Sequence, residues 1–128
     1  MNFPSELYYS RSHEWVRDMG GGVSRVGLTD YAQRALGDIV FINMPEVGED
    51  AVKGARIADV ESVKAVSDIY SPLTGTVTAV NSEAADNPET INSDPYGAWL
   101  IEVGSVSDHE ELLDAAEYET FCEAEGAK

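Results

Sequence analysis

Basic residues are scarce in this sequence. Its 128 residues hold 8 Lys and Arg against 24 Asp and Glu, a formal net charge of −16. A surface so anionic repels phosphates, which excludes nucleic acid and anionic membranes as partners. Cysteine is nearly absent too. Cys122 alone allows no internal disulfide and no zinc-binding cysteine set, and it fits a reducing compartment. On a helix it shares a face with Tyr118 and Phe121, so it reads as a packed thiol rather than a nucleophile. His13 and His109 are the two histidines, far apart, and no metal site is expected.

Other absences narrow the function. No apolar run approaches the roughly 20 residues that a membrane span needs. Met1 to Leu7 shows neither the basic-then-apolar pattern of a signal peptide nor an Arg-rich transit segment. A cytoplasmic location is expected, with the mitochondrial matrix open if a presequence has been removed. No Gly-x-Ser-x-Gly elbow occurs. Gly20-Gly21-Gly22 lacks the Lys-Ser/Thr or helix start of a phosphate loop and reads as a hairpin turn. Nothing points to a self-contained catalyst.

What is present is a run of short strands. Glu14–Arg17 and Val23–Leu28 flank the triple glycine. Thr29 caps a short helix through Leu36, which Gly37 closes. Asp38–Met44 is apolar enough to predict a central strand, ended by Pro45. A short strand lies between Gly48 and Gly54, and two runs surround Lys64. Thr76–Asn81 follows, then a loop rich in Asn, Asp and Pro, and the strand Ala98–Val103. Many short strands at close spacing predict a compact β-sandwich or barrel. Asp38-Ile39-Val40 and Asp68-Ile69-Tyr70 echo each other, which suggests two related half-sheets. Ser107-Asp108-His109-Glu110 and Asp114-Ala115-Ala116-Glu117 both have the pattern of a capping box. They predict a helical appendix over about 107–125, with Leu112, Leu113, Tyr118 and Phe121 buried. Residues 1–128 are expected to form one domain, its core at about 7–104.

Lys64 stands out against this background. It is the only Lys or Arg between Ile57 and Ala127, while residues 65–127 hold 14 acids. A turn lysine alone is ordinary surface. Here β-branched Val60, Val63, Val66 and Ile69 stiffen the chain on both sides. A rigid hairpin can present its amine to a modifying enzyme, which must remove a proton before the amine attacks an acyl adenylate.

Glu61-Ser62-Val63-Lys64-Ala65, with Ser67-Asp68-Ile69 and Ser71-Pro72-Leu73-Thr74-Gly75, resembles the lipoyl-lysine hairpin of the glycine cleavage system H protein family. The likeness spans nearly the whole chain. His13-Glu14-Trp15, Val26 to Gln33, Leu36 to Phe41, Met44 to Gly48, Ile91 to Tyr96, and Trp99 follow in the family's order. The resemblance implies a mainly β barrel-sandwich hybrid, the lipoyl-domain fold, with a short internal helix and C-terminal helices. It implies lipoate on Lys64 and a carrier rather than an enzyme. Such a carrier takes an aminomethyl group from glycine decarboxylase (P protein) to aminomethyltransferase (T protein). It then returns electrons to dihydrolipoamide dehydrogenase (L protein).

The same resemblance assigns Glu61, Asp68 and Gly48 to recognition by the lipoate-attaching enzyme. It assigns Ser12, Glu14 and Asp68 to a cleft that receives the loaded arm. A monomer is expected. Tyr31 departs from the family, which often has His there. Donating lipoyl groups to other enzymes in a relay would use the same residues. Biotin is disfavoured, because Val63 and Ala65 stand where biotinyl hairpins place Met.

Overall fold

The computed structural model describes residues 1–126. Among the described residues nine strands form two antiparallel sheets. In chain order the elements are β1 (Tyr8–Tyr9), β2 (Glu14–Gly20), β3 (Val23–Leu28), α1 (Asp30–Leu36), β4 (Ile39–Asn43), β5 (Asp50–Ala51), β6 (Arg56–Ser62), β7 (Val66–Tyr70), β8 (Leu73–Val80), α2 (Ser82–Asp86), α3 (Thr90–Ser93), β9 (Ile101–His109) and α4 (Ala115–Gly126). The larger sheet has the order β1-β2-β3-β9-β8-β5, and the smaller β4-β6-β7.

Local chemistry explains the turns. Gly20, Gly21 and Gly22 all have positive φ, which lets β2 reverse into β3. The Thr29 hydroxyl accepts from Ala32 N–H at 3.1 Å and starts α1. Gly37, at φ 78°, ends it by donating its N–H to Gln33 O. The residues that alternate inward from both sheets fill one core, in which Val26, Val60, Val77, Leu100 and Val103 are almost fully buried. A second, aromatic cluster lies under α4, where Trp15, Tyr9, Tyr118 and Leu7 pack with Cys122. Gly27 is required there: a Cβ on it would come within 2.5 Å of the Trp15 ring.

Four sequence expectations change. The apolar β4 is an edge strand rather than a central one, and it leaves Val40 and Phe41 half exposed. The echoing segments are β4 and β7, which flank β6 in one sheet instead of founding two half-sheets. Ser107–Glu110 caps no helix. β9 continues through it, pairing Asp108 with Thr74 and His109 with Leu73, so ladder bonding wins over the local capping pattern. The loop before β9 contains α2 and α3. Asn81 caps α2 through Ala84 N–H, while Ala84 and Ile91 anchor the two turns in the core.

The second capping box is real. Asp114 and Glu117 exchange side-chain to backbone bonds of 3.0 and 2.8 Å at the start of α4. Among the described residues α4 is the one C-terminal helix. It buries Tyr118 and Cys122, with Leu113 buried just before it, while Leu112 and Phe121 are partly covered.

Candidate functional site: a hairpin lysine and a buried carboxyl

Lys64 occupies the tight turn between β6 and β7. Ser62 shapes that turn: its N–H donates to Ala65 O at 2.8 Å, and its hydroxyl accepts from Lys64 N–H and Ala65 N–H, both at 3.2 Å. Val63 N–H donates to Asp38 O at 3.0 Å, which ties the turn to the link between α1 and β4. Among the described residues Lys64 takes part in no ion pair. Its stem lies over Gly37, whose added Cβ would stand 3.3 Å from Lys64 Cε.

The outer face of the smaller sheet surrounds this lysine with acids and exposed apolar groups. Pairing across β4, β6 and β7 aligns Phe41, Glu61 and Val66 in one row, and Asn43, Asp59 and Asp68 in the next. Phe41 is 50% exposed, Val66 65%, and Val63 in the turn 66%. Glu61 and Asp68 are therefore brought together on one exposed face. Gly48 is not. With φ at 99° it belongs to the turn before β5 and donates its N–H to Val77 O on β8, in the other sheet.

Beside the hairpin a cavity of about 150 Å³ is walled by Ala32, Ala35 and Leu36 of α1, with Val60 and Ile69 from the smaller sheet. Ser12, His13, Glu14, Tyr31 and Asp68 also line it, so the three cleft residues read from the sequence do meet. Their roles differ. Alternation along β7 turns Ser67 and Ile69 to the cavity side and leaves Asp68 exposed on the outer face, at the rim.

Glu14 is the group at the base, 1% exposed. Its Oε1 accepts from Ser12 Oγ at 2.5 Å and from Ser10 Oγ at 2.7 Å. Ser10 also accepts from Glu14 N–H at 2.9 Å. Burial pushes the carboxyl up to about 7, outweighing the hydrogen bonds from Ser12, Ser10 and the Tyr70 backbone that favour its charged form. Carboxyls raised in this way by burial are concentrated at functional sites. On the far side, Ser10 and Ser12 also line a second, larger cavity of about 470 Å³.

His13 shapes the rim. It holds a left-handed backbone at φ 73°, unusual for a residue with a side chain. Thr29 N–H donates to its carbonyl at 3.2 Å. Its ring bridges Tyr118 Oη and Glu125, both at 2.7 Å, and stacks on Tyr31 at 4.5 Å. Burial raises the Tyr118 phenol well above its ordinary value, so its proton stays available to Thr29 or His13. Ser10 does not stand out in the sequence. Its signal was the spacing Ser-x-Ser-x-Glu over residues 10–14, which becomes informative once Glu14 is known to be buried.

The two-sheet sandwich and the lysine at the tip of a hairpin define a barrel-sandwich hybrid of the lipoyl-domain kind. A sequence profile described as "Glycine cleavage H-protein" matches residues 7–125. The glycine cleavage system H protein of Acidobacterium capsulatum is 50% identical over 127 residues, covering 98% of both chains. That of Lachnoclostridium phytofermentans is 48% identical over 125 residues, with the same coverage. A crystal structure of a glycine cleavage system H protein from Mycobacterium marinum superposes with a TM-score of 0.86 at 40% identity, covering 96% of this chain and 98% of that one. The chain belongs to the glycine cleavage H-protein family. No helix among the described residues is long and apolar enough to cross a membrane.

Proposed function

We propose that Lys64 carries a lipoyl group in amide linkage and that the chain is a non-enzymatic carrier of glycine cleavage. On this reading it serves glycine decarboxylase, aminomethyltransferase and dihydrolipoamide dehydrogenase in turn, as one domain over 1–128, a monomer in the cytoplasm. The observation that carries the reading is the placement of Lys64. It is free of ion pairs among the described residues, held in a braced turn, and laid over Gly37 at the end of the helix that walls the Glu14 cavity.

The residues fit the group. When bound, lipoate supplies a disulfide that can be reduced to a dithiol, on a tether that raises its effective concentration at several active sites. In attachment, Lys64 Nζ loses a proton, bonds the lipoyl carboxyl carbon of an acyl adenylate, and displaces AMP. Glu61, flanked in its row by the exposed Phe41 and Val66, and Asp68 in the next row would offer the attaching enzyme an acidic and apolar face. The contribution of Gly48 would be indirect, through the turn it permits before β5.

Ser12 and Ser10 hold the Glu14 carboxyl in one orientation. A cationic amine brought into the cavity would favour ionised Glu14 and pair with it. The apolar walls from α1 would keep water from the cargo. Asp68 would add negative potential at the rim.

Intact mass tests the assignment. Protein treated with a lipoate ligase, lipoate and ATP should gain one lipoyl group, mapped to Lys64, and Lys64→Arg should gain none. A Lys64→Arg chain that is still lipoylated would sink the proposal.

A further inference from the structure

Asn92 lies 28 residues from Lys64 in sequence, on α3, yet its side chain is bonded to the segment on which that lysine rests. Its Oδ1 accepts from Ile39 N–H at 2.9 Å. Its Nδ2 donates to Gly37 O at 2.9 Å and to Gln33 Oε1 at 3.0 Å. The network fixes the amide orientation: reversed, it would set an NH2 against Ile39 N–H and an oxygen against the Gly37 carbonyl. Both amide protons and one oxygen lone pair are thus spent on the end of α1 and the start of β4.

Asp38 is the residue between those two anchor points. Its carbonyl accepts the 3.0 Å bond from Val63 N–H, one residue before Lys64. Gly37 is the floor beneath the Lys64 stem. Ser62 sets the internal shape of the turn, and Asp38 helps set its position on the body. We propose that Asn92 is a positioning residue for Lys64, clamping residues 37–39 so that turn and floor stay in register. The proposal rests on the reading of Lys64 as the modified residue.

An enzyme that reads a preformed hairpin binds only the fraction of molecules in which that hairpin is in place. Loosening the clamp therefore raises the apparent KM and spares kcat. Lipoylation kinetics, with the carrier as the varied substrate of a lipoate ligase, lipoate and ATP, test this together with amide exchange of Val63. For Asn92→Ala the expected result is a KM raised by about tenfold, with kcat little changed. Val63 N–H should exchange faster, while Val103 N–H in β9 does not. Asn92→Asp keeps the acceptor for Ile39 N–H, so a smaller rise is expected; it also serves if the alanine variant fails to fold. Val77→Ala, a core truncation remote from the clamp, is the control for a merely structural effect. It should lower the thermal midpoint without raising KM.

An unchanged KM in both Asn92 variants overturns the proposal, as does an equal rise in Val77→Ala. Wild-type protein that takes up no lipoate would overturn the reading of Lys64 instead. Val63 exchange would then still decide whether Asn92 holds the turn.

Discussion

Glu14 is pulled in opposite directions. Loss of water raises its pKa, while two serine hydroxyls and a backbone N–H lower it, and burial wins. Its folded-state value lies above that of an exposed carboxyl, so the folded protein holds this proton more tightly than the unfolded chain. Stability from this group is complete at pH values below the ordinary carboxylate range. It is lost as pH rises toward about 7. The loss should total up to about 3 kcal/mol. Urea unfolding of wild type and Glu14→Gln across that range should give a wild-type curve that declines relative to the variant. Parallel curves would contradict the raised value. Ser12 and Glu14 were legible in the sequence only through the family's pattern, since one acid among 24 does not announce its burial. Ser10 and Asn92 were not legible. Ser10 matters because Glu14 is buried, and the partners of Asn92 lie 53 to 59 residues away.

Among the elements, strands between glycine turns were read well because the turn chemistry is local. The triple glycine and the Thr29–Gly37 helix came out as expected. Errors came where pairing across the sheets decides. Ser107–Glu110 has the residues of a cap, but β8 was waiting as a partner, and Lys53 pairs with Asp108 at 2.9 Å. The apolar β4 looked central, yet only Ile39 and Ile42 face the core. Periodicity cannot tell which strands have neighbours on both sides. Pairing with Tyr9 stops at Leu113, and at Asp114 the reciprocal bonds form. Asp114→Ala should therefore cost about 1 kcal/mol. In denaturant melts the midpoint should fall with the slope unchanged, and a midpoint equal to wild type would remove the cap from the account of α4.

For the whole molecule, charge governs the response to solvent. A net charge of −16 on 128 residues stores repulsion in the compact state. Ion pairs such as Arg11–Glu111 and Arg56–Asp59 are exposed and contribute little. Added salt screens the repulsion more than it weakens these pairs. The thermal midpoint should rise from low to physiological ionic strength, and a fall would show that attraction dominates instead. Attachment of an acyl group to Lys64 would remove a positive charge and add slightly to the repulsion.

The aromatic cluster under α4 has a practical consequence. Phe3 packs edge-on against Tyr118 at 5.5 Å, and Tyr118 bonds His13 at the cavity rim. Asn2 N–H donates to Asp30 at 2.8 Å, at the start of the helix that walls the cavity. The two ends of the described chain therefore converge on the rim of the cavity. An affinity handle fused ahead of Phe3 or behind α4 would crowd the place where the proposed carrier would shelter its cargo. A handle in the β2–β3 glycine turn would leave that rim clear.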